Sequence, residues 1–424
     1  MDKIKVVWIC HLSNPMIRQN LKFCKWTPVA ICKRLFGRSG YYDFAAWNTN
    51  GIREFEKFSD VELHIVAPHY GICGVQEFEK SGIYYHFFHT EDDSIISYFE
   101  RIVIHKEIES YKKNTKIILS LVDKIKPDLV HLIGAENPYY SESALSIPKN
   151  IPLITTLQTL MIDPQFQKNY PISDEAYRYR SSVEKAVIKR SDYIGSKVEH
   201  FRAIIEKEIG EVNFLDINLA VGEDVHIEDC EKKYDFVYFA ANISKAIDYA
   251  LEAFAIAKRR HNDITLHVIG GYDSGLMNDI KRQMKRLSLG DGIDFTGKLP
   301  TYEDVIAEIK KARFALLPLK IDLISGTIRE SMANGLPVVS TITPATPKLN
   351  DKRNCVLLSE KGDFEAMANN ICRLLEEPDL VEELRKNSVV TLSEKYDNKN
   401  AMEAWRQSYY RIVENKGVGN VICD

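Results

Sequence analysis

Two acidic side chains and a hydroxyl-rich turn stand close together between residues 322 and 330. Asp322 precedes Ser325-Gly326-Thr327, and Glu330 lies three residues after Thr327. The turn opens a helical pattern, so free backbone N–H groups and the positive end of a helix dipole are expected there. Such a turn suits a diphosphate: Gly326 permits close approach, and both hydroxyls can donate. The spacing of Thr327 and Glu330 also fits a capping box, which is the structural alternative.

Strand-like runs must position this turn, because they alternate with helical patterns along the whole chain. This rhythm predicts an α/β fold with parallel sheets covered by helices. It starts at the N-terminus, is interrupted near residues 217–233, and restarts afterwards. The strand predictions are Ile4–Ile9, Val61–Ala67, Leu129–Ile133, Leu153–Leu157, Tyr193–Ser196, Phe236–Phe239, Leu266–Ile269, Ile293–Phe295, Phe314–Leu317, Val338–Ser340 and Cys355–Leu358.

The break in the rhythm divides the chain into predicted domains. Residues 1–216 are predicted to form an N-terminal Rossmann-like domain, 217–233 a linker, and 234–394 a C-terminal Rossmann-like domain. Residues 395–424 form a helix whose aromatic face, with Trp405, Tyr409 and Tyr410, packs back on the N-terminal domain.

Composition excludes several classes of protein. The 424 residues are 45% hydrophobic and 27% charged with a net charge of -4, which fits a globular enzyme and argues against a nucleic-acid partner. No signal peptide or apolar run of membrane-spanning length is found, so we expect a cytoplasmic protein. The eight cysteines form no C-x-x-C pair and are expected to be buried, reduced thiols.

The segment around Glu330 resembles the sugar-nucleotide site of glycosyltransferase family 4, a family of retaining group 1 enzymes with the GT-B fold. The resemblance rests on Asp322 and Glu330, which have seven residues between them, and on the following Ala333, Gly335 and Pro337-Val338-Val339. The segment Thr346-Pro347-Lys348-Leu349-Asn350 also resembles members of this family. The resemblance implies two Rossmann-like domains facing each other across a cleft, with residues 1–216 on the acceptor side and residues 234–394 binding the nucleotide sugar. It also implies that Glu330 holds the ribose hydroxyls and Asp322, where glutamate is usual, faces the donor sugar.

Further positions of the second half resemble the donor site of this family. Lys245 matches the lysine that clamps the diphosphate, while Asn242 stands where arginine is usual and supplies no charge. By the same resemblance, Gly270, Tyr272, Lys298 and Leu299 line the nucleotide, and no metal or cofactor is required. A solvated lysine and ordinary glycine turns are the structural alternatives for Lys245 and for these positions.

The first half resembles the family less closely. Gln158 stands where many relatives have a histidine beside the reacting sugar, and it cannot shuttle a proton. Ser13 and Asn14 are the acceptor-side candidates after the first strand. His131 is expected to be a core histidine. Residues 16–38 mix basic and aromatic side chains without an acid, which suits an anionic membrane surface or a lipid diphosphate; a solvated insertion is the alternative.

The resemblance implies a retaining glycosyltransferase of hexosyltransferase type. It would move a sugar from a nucleotide diphosphate to a glycan or lipid-linked acceptor in cell-surface polysaccharide synthesis, with possible peripheral contact at the inner membrane face. Two other classes stay open because Asn242, Gln158 and Asp322 depart from the family pattern. One is a non-catalytic protein that binds nucleotide sugars or glycans, and the other is a nucleotide-sugar epimerase.

Overall fold

The chain forms two compact units, each built on its own sheet. The computed structural model describes residues 3–27, 30–31, 42–94, 110–169, 172–220, 230–239, 246–272, 274–290, 292–320 and 326–419. Unit 1 comprises Met1–Gln167, Ile172–Ala220 and Asn398–Asp424, and unit 2 comprises Lys168–Pro171 and Val221–Asp397.

Unit 1 contains a sheet whose eight described strands run in the order β3-β4-β2-β1-β5-β6-β7-β8. The strands are β1 Ile4–Ile9, β2 Val61–His69, β3 Val75–Lys80, β4 Ile83–His89, β5 Leu129–Ile133, β6 Leu153–Thr156, β7 Tyr193–Gly195 and β8 Phe214–Leu215. The helices between them are α1 Pro15–Asn20, α2 Ala46–Phe55, α3 Lys112–Ile125, α4 Pro138–Ser141, α5 Pro164–Asn169, α6 Asp174–Arg190 and α7 Glu199–Glu208.

Unit 2 contains a parallel sheet whose six described strands run in the order β11-β10-β9-β12-β13-β14. The strands are β9 Tyr234–Phe239, β10 Leu266–Ile269, β11 Ile293–Gly297, β12 Ala312–Leu316, β13 Val338–Thr341 and β14 Val356–Ser359. The helices are α8 Ile247–Lys258, α9 Ser274–Arg286, α10 Tyr302–Ile309, α11 Gly326–Ala333, α12 Phe364–Glu376 and α13 Pro378–Lys395; the chain then continues into α14 Asn398–Gly419.

Parallel pairing explains why the central strands are apolar on both faces. β1 is buried along nearly its whole length and pairs in parallel with both β2 and β5. Likewise β9 pairs in parallel with β10 and β12. Helices cover both faces of such sheets, so continuous Val, Ile and Phe runs replace the alternating pattern of half-exposed strands.

An antiparallel hairpin closes one edge of the unit 1 sheet, where only parallel strands were expected. β3 and β4 pair antiparallel around Ser81 and Gly82, whose φ angles are 52° and 78°. Positive φ at both central residues is the requirement of a tight type I′ turn. β3 is mostly exposed, so charged side chains protect this sheet edge from further pairing.

The last helix completes the core of unit 1. In α14, Met402, Trp405 and Tyr409 are buried together with Trp8 of β1. The Trp8 indole N–H donates to the Tyr409 hydroxyl at 2.8 Å, and Trp405 donates to the Asn218 carbonyl at 2.8 Å. Burial of this many large aromatic rings makes α14 an integral part of the unit.

His131 is a core histidine, as expected. It is fully buried in β5, with Nδ1 2.6 Å from the Tyr409 hydroxyl and Nε2 2.7 Å from Thr156 Oγ1. Burial lowers the pKa of His131 to about 3, so the ring is neutral.

The predicted fold class is confirmed: the chain has two α/β bodies, each built on a sheet that is parallel apart from the antiparallel β3–β4 pair of unit 1. The domain boundaries stay a prediction. Ile217 and Ala220, within the predicted linker, are buried in the core of unit 1, whereas residues 221–229 lie outside the described part. None of the described helices is long and apolar enough to cross a bilayer.

The expectation that the cysteines are buried is only partly right. Cys10, Cys355 and Cys372 are buried, but Cys73 is exposed and Cys24 and Cys230 are half-buried. Cys32 and Cys423 lie outside the described residues.

Candidate functional site

The strand order of unit 2 places a crevice at the carboxyl ends of β9 and β12. From β9 the chain proceeds to β10 and β11 on one side and then returns to β12, β13 and β14 on the other. In open α/β sheets, ligands bind at such a switch point, outside the carboxyl ends of the strands. The loop after β12 leads to α11, which begins at Gly326. The predicted anion turn therefore adjoins the switch point of its sheet.

The loop that leaves β12 is fixed by a side chain of the next strand. The Thr341 hydroxyl accepts from the Leu319 N–H at 2.8 Å and donates to the Leu319 carbonyl at 2.7 Å. Lys320 follows, with its ammonium 2.7 Å from Asp248 and 5.1 Å from the centre of the Tyr249 ring. A positive charge is thus held near the start of α8, a feature that the sequence reasoning did not identify.

Glu330 lies back over the first turn of α11. A Cβ on Gly326 would have Glu330 Oε1 at 3.9 Å, and no other described heavy atom comes within 4 Å apart from those of the helix backbone and the neighbouring residues. The Glu330 carboxylate therefore borders the space that a side chain at position 326 would enter. At the other end of the helix, the Asn334 amide donates to the Glu330 carbonyl at 2.8 Å.

The carboxyl ends of β10 and β11 come together through two glycines. The Gly270 N–H donates to the Gly297 carbonyl at 3.0 Å. A Cβ on Gly271 would lie 2.8 Å from the Cβ of Lys298, so only glycine fits there. This contact fixes the exposed Lys298 and the half-buried Leu299 beside the end of β10. Tyr272 packs against the core of unit 2, and burial raises the pKa of its hydroxyl.

Four of the predicted donor-site residues lie outside the described part of the chain. They are Asn242 and Lys245 after β9 and Asp322 and Ser325 before α11. Their roles stay predictions. Both segments that contain them adjoin the switch point, since one follows β9 and the other separates β12 from α11.

In unit 1 the corresponding crevice lies between the carboxyl ends of β1 and β5, because the sheet order runs from β2 through β1 to β5. The predicted residues Ser13 and Asn14 follow β1, and both already bond within the fold. Ser13 accepts from Arg18 at 3.1 Å. Asn14 caps α1 by accepting from the Ile17 N–H at 2.9 Å and donates to the Thr49 hydroxyl at 3.2 Å.

A carboxyl group that the sequence reasoning missed stands after β5. Glu136 is 5% exposed; its Oε1 accepts from Asn137 at 2.8 Å, and its Oε2 is buried with no partner among the described residues. Burial raises the pKa of Glu136 to about 7, an effect that the charge of Arg180 partly offsets. A carboxyl that is part-ionised at neutral pH can either accept or donate a hydrogen bond.

Neighbouring polar groups are arranged around the same edge. His11 follows β1, and its Nδ1 bonds the Tyr139 hydroxyl. Burial lowers the pKa of His11 to about 4, so the ring is neutral. Gln158, after β6, donates from Nε2 to the Ile133 carbonyl at 3.2 Å. Gln158 therefore lies at the predicted edge, with its amide engaged by the backbone of β5.

Two side chains of α6, Arg180 and Glu184, lie one turn apart and hold the loops at this edge. The Arg180 Nε–H donates to the Glu136 carbonyl at 2.9 Å. Glu184 accepts the N–H groups of Met161 at 3.0 Å and Ile162 at 2.9 Å, one on each carboxyl oxygen. The loops after β5 and β6 are thereby fixed to the same helix.

We expect Glu184 to make the stability of the protein depend on pH. Burial raises its pKa from 4.5 to about 8, so the fold binds a proton that the unfolded chain releases. This contribution is complete below about pH 4.5 and is lost as the pH rises through about 8. In Glu184→Gln, the fall in urea midpoint between pH 5 and pH 8 should be smaller than in the wild type. Equal falls in both proteins would contradict the expectation.

The sequence contains a signal for Glu136 but none for Glu184. Glu136 follows a buried strand directly, in the place where parallel strands present ligands. Glu184 gives no such signal, because an acid in the middle of a helix is usually exposed. Its role follows only from the position of α6 beside the loop after β6.

Comparisons with known proteins agree with this description of unit 2. The family Glycosyl transferases group 1 matches residues 234–377. The resemblance to group 1 enzymes is thus confirmed over this range, whereas family 4 in particular stays a prediction. A search of curated proteins finds no match.

Solved structures share the fold over nearly the whole chain. Sucrose-phosphate synthase from Thermosynechococcus elongatus aligns with a TM-score of 0.67 at 15% identity, covering 97% of this chain and 100% of the other. An E. coli trehalose-6-phosphate protein bound with UDP-2-fluoro glucose aligns with a TM-score of 0.66 at 11% identity, covering 96% and 98%. A glycosyltransferase from Rickettsia africae aligns at 0.61 and 12%, covering 98% and 100%.

Proposed function

We propose, from the glycosyl transferases group 1 domain that residues 234–377 form, that this protein transfers a sugar from a nucleotide diphosphate to an acceptor hydroxyl with retention. The observation that carries the proposal is the start of α11, where the Glu330 carboxylate lies beside Gly326, next to the switch point. Backbone N–H groups there suit a diphosphate, and a carboxylate suits the paired hydroxyls of a ribose.

The donor would be held by unit 2. In this proposal the helix start, with Ser325 and Thr327, and the ammonium of Lys245 meet the charge that develops on the departing diphosphate. Asp322 faces the sugar, and Glu330 holds the ribose. Gly270, Tyr272, Lys298 and Leu299 border the nucleotide. A metal ion is not needed where fixed donors and a lysine supply this charge.

The acceptor would be held at the carboxyl edge of the unit 1 sheet. A neutral histidine, a carboxyl group with a pKa near neutrality and the amides of Asn137 and Gln158 suit a hydroxylated acceptor rather than an ionic one. We therefore propose a glycan or lipid-linked sugar as acceptor, in synthesis of a cell-surface polysaccharide. The leaving phosphate oxygen would take the acceptor proton on the same face of the sugar.

Nucleotide release from a panel of UDP-, GDP- and ADP-sugars tests the proposal. With a lipid-linked or oligosaccharide acceptor, we expect release to increase at least about tenfold, together with transfer of sugar to that acceptor. Epimerised or free sugar without an acceptor would support an epimerase instead. Tight donor binding without turnover under any acceptor condition would support a binding protein.

Contact with an anionic membrane is proposed for the basic and aromatic residues 16–38. Within the described part of this segment, Trp26 is 75% exposed, which suits insertion into a headgroup region. We expect the protein to co-sediment with phosphatidylglycerol vesicles at low salt and to be released at high salt. Absence from these vesicles at low salt, or equal binding to neutral phosphatidylcholine vesicles, would reject this contact.

A further inference from the structure

Cys24 and Cys73 are brought together by two chain segments of unit 1 that run antiparallel. Phe23 and Ile72 form an antiparallel bridge, and the Cys24 N–H donates to the Gly71 carbonyl at 2.7 Å. Beside them, Gln76 accepts from the Lys22 N–H at 2.7 Å and donates to the Lys22 carbonyl at 2.8 Å. Residues 22–24 are thereby held against residues 71–76.

The antiparallel pairing places the two thiols near each other: Cys24 lies opposite Gly71, and Cys73 lies two residues from Gly71, on the same face of the paired segments. The neighbouring Cys73 thiol and the backbone N–H groups of Trp26 and Thr27 lower the pKa of Cys24. Conversely, the neighbouring Cys24 sulfur raises the pKa of Cys73 to about 11. One sulfur is therefore favoured as a thiolate nucleophile and the other keeps its proton.

Exposure distinguishes this pair from the other described cysteines. Cys73 is exposed and Cys24 is half-buried, whereas Cys10, Cys355 and Cys372 are buried. Cys230 is also half-buried, but its Sγ contacts the Lys310 carbonyl at 2.9 Å. An accessible thiolate next to a second thiol is the arrangement that undergoes thiol–disulfide exchange.

We propose that Cys24 and Cys73 are a redox-active dithiol that exchanges reversibly with small-molecule disulfides of the glutathione class. The Cys24 thiolate attacks one sulfur of the small disulfide, forms a mixed disulfide and releases one small thiolate. Cys73 then loses its proton to solvent and attacks Cys24 Sγ, which releases the second small thiolate. Two protein thiols become one disulfide, and the small disulfide is reduced to two thiols.

Formation of the mixed disulfide on Cys24 favours ionisation of Cys73, which the second step requires. Contact with the Cys24 sulfur is the largest cause of the raised pKa of Cys73. In the mixed disulfide that sulfur carries no charge, so Cys73 ionises more readily at the moment when it must attack.

Oxidation of this dithiol would act on the acceptor-side edge. The Phe23 ring lies 5.7 Å from the His69 ring, and His69 Nε2 is 3.4 Å from Ser13 Oγ. A disulfide between Cys24 and Cys73 would link the segment that carries Phe23 to the turn that follows His69. It would therefore restrain the contact between these two rings. The inference itself does not depend on the proposed function, because it concerns only the two thiols.

Incubation of the reduced full-length protein with glutathione disulfide at pH 7.5, followed by acid quenching and peptide mapping, tests the inference. We expect a peptide pair linked through Cys24 and Cys73, with the loss of two hydrogens, that dithiothreitol reverses. In Cys73→Ser, Cys24 should instead retain a mixed disulfide with glutathione. In Cys24→Ser, modification of Cys73 should be at least about tenfold slower than that of Cys24 in the wild type.

Cys230→Ser is the matched control, and its linked pair should form as in the wild type. A wild-type protein that accumulates glutathione on Cys24 without linking it to Cys73 would overturn the proposal. So would alkylation of Cys24 by iodoacetamide no faster than that of Cys230. Both outcomes are read on the wild type, so they do not depend on the folding of any variant.

Discussion

Replacement of Glu330 by alanine is expected to weaken nucleotide-sugar binding about a hundredfold. In the proposed site this carboxylate accepts hydrogen bonds from the ribose hydroxyls beside the start of α11, where it already borders the space next to Gly326. Hydrogen bonds to a charged group contribute about 1.5–3 kcal/mol each. Loss of about 3 kcal/mol corresponds to a hundredfold change in Kd, which calorimetry with the donor from the nucleotide-sugar panel measures directly.

Two variants make the Glu330 experiment specific. Glu330→Gln keeps one acceptor oxygen without the charge and should lose only about tenfold in affinity. Glu382→Ala removes a carboxylate from the exposed face of α13 in the same unit and should leave affinity unchanged. A Kd for Glu330→Ala within about threefold of the wild type would reject the role of this residue.

The largest loss of stability is expected from Trp405→Ala. The ring of Trp405 is 2% exposed, lies 5.2 Å from Trp8 and 4.3 Å from His131 between ring centres, and anchors α14 in the core of unit 1. Truncation of a buried tryptophan costs about 3–5 kcal/mol, because the lost burial and the remaining cavity add. Thermal unfolding of unit 1 should shift downwards by roughly 10 °C.

Trp26→Ala is the matched control for Trp405→Ala, since it makes the same chemical change in the same unit on a side chain that is 75% exposed. It should change the free energy of unfolding by less than about 0.5 kcal/mol. Similar shifts in the two variants would mean that α14 does not contribute its burial to the stability of the unit.

The sheets were predictable from sequence where strands are central. Ile4–Ile9, Leu129–Ile133 and Leu266–Ile269 were placed with their observed ends, because a central parallel strand is apolar on both faces and stands out from its helices. Three strands were missed. β3 has a charged, exposed sequence without an apolar period, β8 spans only two residues, and β4 was not recognised although it is internal and mostly buried. The turn signal of Ser81-Gly82 marked the hairpin but was not used.

The candidate site also contains features that could be predicted from local sequence and features that depend on long-range contacts. The start of α11 at Gly326 was predicted because helix starts have a sequence signature, whereas the binding roles of Gly326 and Glu330 stay predictions. Glu136, Arg180 and Glu184 were missed because their roles depend on contacts between residues more than 20 positions apart. Likewise, the engagement of Ser13 and Asn14 with Arg18 and Thr49 required the folded structure.

Because α14 belongs to unit 1, synthesis of unit 1 is completed only after synthesis of unit 2. Residues 221–397 are an insertion between two stretches of the polypeptide that share one core. Every residue of the insertion is translated before Met402, Trp405 and Tyr409 become available. A nascent chain that has completed unit 2 therefore still carries a unit 1 in which Trp8 lacks its contacts with Trp405 and Tyr409, so the core of unit 1 is completed only once α14 has been synthesised.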